Sequence, residues 1–109
     1  VSLRVEPDAI GDHLVGRDFA YVLTVRDSGV HAIAHRIVAD RGIVTVVNAG
    51  ESLVQRLANE VPVTLLWPPS TRPSDEHAHY SLVADGIARS RDGSIVIEVR
   101  TAVLHRPAP

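Results

Sequence analysis

The segment Asp75-Glu76-His77-Ala78-His79 has the composition of a metal site. In an extended chain His77 and His79 project to one face about 6–7 Å apart, close enough for two imidazoles to share an ion. A third ligand would come from Asp75, Glu76 or elsewhere, and the same residues also read as a solvated polar loop. His31 and His35, four positions apart in a strand, stand roughly 13 Å from one another and cannot jointly hold one metal. No serine sits in a Gly-x-Ser-x-Gly elbow, and no Ser-His-Asp set is recognisable. Neither a glycine-rich phosphate loop nor a dinucleotide fingerprint occurs. The chain has no Cys, and all eleven of its cationic residues are Arg. That excludes disulfides, thiolate nucleophiles, Cys-ligated zinc and a lysine Schiff base.

These residues belong to a chain of 109, enough for one domain spanning 1–109. The formal charge is −2, with 45% hydrophobic and 22% charged residues, ordinary for a globular protein. A slight acidic excess argues against nucleic-acid binding, which needs concentrated positive charge. No apolar run approaches the ~20 residues of a membrane span. Val1 to Ile10 lacks the apolar centre of a signal peptide, so a cytoplasmic protein is expected. Phe19, Tyr21, Trp67 and Tyr80 are the only aromatic residues. The core must rest on Val, Ile, Leu and Ala, and a subunit interface would help to stabilise so small a domain.

The periodicity is mostly that of short strands separated by turns. Phe19 to Val25 alternates and leads through Asp27-Ser28-Gly29 into a second strand, Val30 to Ala39. Asp40-Arg41-Gly42 turns the chain into Ile43 to Val47. Glu51 to Asn59 changes to helical spacing, with Leu53, Val54 and Leu57 apolar. Asn48 as N-cap and Glu51 three positions later form a capping-box-like start. Val63 to Trp67 is a fourth strand, stopped by Pro68-Pro69, and a Pro-rich loop follows. Tyr80 to Arg89 is a fifth, with a bulge or bend expected at Asp85-Gly86. Arg91-Asp92-Gly93 turns into Ser94 to Leu104, where Ile95, Ile97, Val99 and Val103 are expected on one face. A first short helix opens at Glu6-Pro7-Asp8. Six antiparallel strands and two short helices predict a barrel or sandwich.

Four stretches carry a resemblance in their joint order and spacing. They are Phe19-Ala20-Tyr21-Val22-Leu23-Thr24-Val25 with His31-Ala32-Ile33-Ala34, then Val63-Thr64-Leu65-Leu66-Trp67-Pro68-Pro69, then Tyr80-Ser81-Leu82-Val83-Ala84-Asp85-Gly86-Ile87-Ala88, and last Arg100-Thr101-Ala102-Val103-Leu104-His105-Arg106-Pro107. Together they resemble a small bacterial branch of the pyridoxamine 5′-phosphate oxidase-like, FMN-binding split-barrel family. The resemblance implies a mainly β, six-stranded antiparallel split β-barrel with two short helices. It further implies a homodimer with FMN, or a deazaflavin, at the subunit interface, and an oxidoreductase role. The C-terminal Arg and His segment with which the true oxidases bind substrate phosphate has no counterpart up to Pro109, so that specific activity is not expected.

In such proteins, basic or hydroxyl side chains of the second and third strands and the following helix hold the cofactor phosphate. The positions that match are Arg36, which shares strand parity with Ala32 and Ala34, and Ser52 and Arg56, which lie at i and i+4 on one helix face. Ala32 and Ala34 suit a flat ring beside an arginine anchor; they also suit plain packing under a neighbouring strand. Trp67 and the loop from Pro68 to His79 would stand near the ring or substrate. Glu51 departs from the family pattern. A carboxylate within ~4–6 Å of a phosphate repels it by on the order of 1 kcal/mol at surface-like dielectric. The alternative is therefore a cofactor-free split barrel that serves another ligand or protein.

Overall fold

The computed structural model describes residues 1–72 and 76–108. Eight antiparallel strands form one curled sheet: β1 (Ser2–Val5), β2 (Ala20–Arg26), β3 (Gly29–His35), β4 (Ile37–Asp40), β5 (Ile43–Val46), β6 (Val61–Trp67), β7 (Ser81–Arg91) and β8 (Ser94–His105). A 3-10 helix spans Pro7–His13, and α1 spans Glu51–Arg56. The strand order is β3-β2-β6-β7-β8-β5-β4. β8 pairs with β7 along one edge, while β5 and β1 divide its other edge between them.

The protein is mainly β, as expected, but among the described residues there are two short helices and eight strands, not six. One addition is β1, whose two apolar residues, Leu3 and Val5, are too few to show a period. The other arises because the second expected strand, Val30 to Ala39, divides at Arg36 into β3 and β4. The Arg36 carbonyl accepts the Val47 N–H at 2.9 Å, which continues the β4–β5 register one pair beyond Ile37 and Val46. β3 and β4 end opposite sides of the sheet order and are joined through that single residue, so the strand must bend there and the sheet must curl.

The concave face holds the core. Val22 from β2, Leu65 and Trp67 from β6, and Ile95 and Ile97 from β8 are at most 2% exposed. Ile10 of the 3-10 helix and Leu57 just after α1 belong to the same cluster. The bulge lies where it was expected, between Asp85 and Gly86. Gly86 faces Val99 there, and a Cβ on it would stand 2.5 Å from the Glu98 carbonyl oxygen, so no side chain fits. Because Asp85 pairs with Thr101 and Gly86 with Val99, Arg100 is the extra residue on β8. The extra residue reverses the alternation beyond it. Ala102 and Leu104 face inward, and Val103, expected beside Ile95 and Ile97, lies on the other face.

Candidate functional site

β2 and β3 form a hairpin whose two-residue turn, Asp27-Ser28, sets Arg26 opposite Gly29. Strand alternation puts Ala20, Val22 and Thr24 in the core and turns Tyr21, Leu23 and Val25 outward. Their partners across the ladder are Ala34, Ala32 and Val30, so Ala32 and Ala34 belong to the outward face. β3 is exposed from Gly29 to Ala34 on both faces, and only His35 is half-buried. Val25 is 84% exposed and Val30 61%, an unusual state for β-branched residues in a ladder. Phe19 and Tyr21 meet edge-to-face at the rim, with ring centroids 5.4 Å apart.

Arg36 is exposed at the bend that ends β3. Through the Val47 bond its backbone lies against the segment leading into α1, so the fold brings Arg36 and the approach to Ser52 to one end of the sheet. Ser52 is exposed and Arg56 is half-buried on α1. The helix start differs from the expected capping box. Gly50 is the N-cap and makes no side-chain cap, Asn48 takes a left-handed φ of 54°, and Glu51 is the first helical residue. Glu51 is exposed beside Ser52. Six residues make fewer than two turns, so the helix field adds little for an anion and the arginines would have to supply the charge.

Trp67 is placed otherwise than expected. It lies on the inward face of β6 with Val63 and Leu65, is 1% exposed, and has no ring face open to a ligand. The parity of β6 puts every second residue from Val63 into the core, and Trp67 is one of them.

The loop after β6 is anchored by Arg17, a residue not singled out from the sequence. Arg17 is 6% exposed. Its guanidinium donates to the carbonyls of His13 at 2.8 Å, Pro68 at 2.8 Å, Tyr80 at 2.6 Å and His77 at 3.1 Å. Ser70 adds a bond from its hydroxyl to the Val15 carbonyl at 3.0 Å, and the Thr71 N–H donates to Gly16 at 2.9 Å. Only a polar partner set scattered through the chain defines this clamp, and no local motif marks it.

The chelating geometry expected of His77 and His79 is absent, because residues 76–79 form a turn and not an extended strand. The His77 ring packs edge-to-face on Tyr80 at 5.3 Å, and the Arg106 guanidinium lies 5.3 Å from the centre of the Tyr80 ring. Asp75 lies outside the described residues. Among the described residues, no three His, Cys, Asp or Glu side chains are grouped to hold a metal.

Two of the open concavities along the sheet carry both polar and apolar walls. One of about 630 Å³ lies between the β4–β5 turn and the 3-10 helix, with Asp8, Asp40, Arg41 and Glu98 at its wall. The other, of about 360 Å³, lies on the outward face among Leu23, Val25, Pro62, Ile87 and Arg100. There the Thr64 hydroxyl donates to the Asp85 carboxylate at 2.5 Å. Burial pushes the His35 imidazole below the usual histidine range.

The fold defines the class as a mainly β protein built on one curled antiparallel sheet. No family model matches the chain, and no solved structure matches it. Two mycobacterial proteins do: the uncharacterized protein Mb0449c of Mycobacterium bovis and the uncharacterized protein MT0457 of Mycobacterium tuberculosis. Each is 36% identical over 108 aligned positions, covering 83% of this chain and 72% of the relative. The chain belongs to the family that these two represent.

Proposed function

We propose that the chain is one subunit of a homodimeric split barrel, similar to the pyridoxamine 5′-phosphate oxidase-like proteins, that holds FMN or a deazaflavin in the groove between subunits. One observation carries this reading: β3 is a ladder strand of Val, Ala and Ile left open on both faces. So much exposed apolar surface in a small chain calls for a partner or a ligand. Ala32 and Ala34 leave a shallow strip beside which a flat ring fits, and Arg36 stands where that strip ends. Arg56 and Ser52 would complete the grip on a phosphate from α1, while Trp67 supports the sheet from beneath.

The cofactor would supply hydride or electron transfer; the chain's residues would bind and orient it. No described helix is long and apolar enough to cross a membrane. A cytoplasmic location is part of the same proposal.

The second reading, a cofactor-free barrel, is favoured by Glu51, whose carboxylate stands exposed at the first position of α1. Fluorescence quenching of FMN by the purified protein separates the two. Saturable quenching at tens of micromolar is expected, and Glu51→Arg should tighten it about fivefold to tenfold by removing an anion and adding a cation. If neither protein quenches FMN or a deazaflavin, the cofactor-free reading takes its place.

A further inference from the structure

The exposed strand β3 has one more property: its last five residues, His31-Ala32-Ile33-Ala34-His35, read the same in both directions. A two-fold axis through an antiparallel strand pair reverses one copy of the strand against the other. A palindrome therefore meets itself with like against like.

The hydrogen-bond phase of the hairpin agrees. Around a two-residue turn the flanking pair, Arg26 and Gly29, is hydrogen-bonded, and bonded pairs then alternate along the ladder. His31, Ile33 and His35 thus direct their backbone groups inward to Thr24, Val22 and Ala20. The N–H and C=O groups of Val30, Ala32 and Ala34 point to the free edge. Among the described residues no strand pairs with that edge. Nor does it carry the usual guards: β3 contains no proline, Lys, Arg, Asp or Glu.

We propose that two copies of this chain join β3 to β3 antiparallel with Ile33 on the two-fold axis, and that each His31 with the partner subunit's His35 then binds one divalent transition-metal ion. This names the seam of the two-copy reading above and rests on that part of it, while requiring no flavin. With Ile33 on the axis, Ala32 and the partner's Ala34 exchange both backbone bonds, which uses the outward groups of each strand. His31 and the partner's His35 become a directly opposed, non-hydrogen-bonded pair. Such pairs bring Cβ atoms to about 4.5–5.5 Å, the closest cross-strand approach, so both imidazoles can reach one ion. Zinc, copper and nickel all accept imidazole, with water in the remaining positions. Within one chain the same two histidines are too far apart. The site is incomplete without the second copy.

Sedimentation velocity with zinc chloride or with EDTA tests this on the wild type, on His31→Ala and on His35→Ala. Zinc should tighten the wild-type dimer about tenfold or more, because it binds only the paired state. Neither single variant should respond to zinc. An equimolar mixture of the two should regain the response, since a mixed dimer keeps one complete pair, His31 from one chain and His35 from the other. Circular dichroism confirms that both variants are folded; the two positions lie outside the core. A zinc response retained by either single variant, or a mixture that regains nothing, overturns the seam. A dimer indifferent to zinc also overturns it and leaves the two-copy reading standing. A monomer under all conditions removes both.

Discussion

Val22 and Ile33 stand directly opposite one another across β2 and β3, on the same side of the sheet, yet Val22 is 2% exposed and Ile33 42%. The core therefore ends between two adjacent strands. β2 is packed by the concave interior, whereas β3 is held mainly by its ladder and contributes little burial to a single subunit. Exposed surface begins at that step, with Ala32 and Ala34 on the outward parity, His31 and His35 on the other, and Arg36 at the bend beyond them.

Truncation of Trp67 is expected to act on stability and not on recognition. Its side chain is among the largest that are fully buried, and Trp67→Ala should cost about 3–5 kcal/mol through lost burial and a residual cavity. Urea denaturation measures this. A near-neutral result would show that the ring is not a core element.

Arg17 draws the 3-10 helix, Pro68, His77 and Tyr80 together through backbone carbonyls. Arg17→Met leaves several of these acceptors without a donor, and a loss on the order of 2–4 kcal/mol is expected. Limited proteolysis should then cut between Pro68 and Tyr80 first. Arg17→Lys should restore only part of the loss, because an ammonium group cannot span the same fork of acceptors.

Gly86→Ala sets a methyl group against the Glu98 carbonyl and the Ile97 side chain. The strand pair must separate locally, and a cost of roughly 1–3 kcal/mol is expected. Gly29→Ala, whose Cβ would meet nothing within 4 Å, is the control that shares the residue change without the clash.

His35 links stability to pH. Burial lowers its pKa in the folded chain, so between that lowered value and the ordinary histidine value the unfolded state holds more protons. Stability therefore rises as pH increases through this window and is lost as pH falls through it. In EDTA, the urea midpoint of the wild type should drop between about pH 7.5 and about pH 5 by more than that of His35→Gln. An equal drop in both would remove His35 as the source.

How much was legible in the sequence follows from the range of the forces involved. Alternation in β2, the turn at Asp27-Ser28 and the bulge at Asp85-Gly86 are local, and each is read from neighbouring residues. The division at Arg36 is not local: the Val47 N–H fixes that carbonyl, and nothing in Val30 to Ala39 announces it. The inward turn of Trp67 follows from the parity of β6, which the sequence contains, but which face meets the core depends on the sheet. Val103 was displaced by one extra residue, Arg100, on a strand otherwise regular. Arg17 has partners from His13 to Tyr80, so only a folded chain reveals what it holds. Of the candidate contacts, Arg36, Ser52 and Arg56 remain accessible to some degree, whereas Trp67 lies inside.

The division of one edge of β8 between β5 and β1 bears on synthesis. β1 leaves the ribosome first of the eight strands, and its pairing of Ser2 with His105 needs the last of them. At about 5–20 residues per second, the wait is on the order of ten seconds. Once made, β5 also waits for the edge of β8 on which it pairs, whereas β7 directly precedes β8. The β3-β2-β6-β7 part can pair as it emerges, whereas β1 and the β4–β5 hairpin join the sheet only once β8 is made.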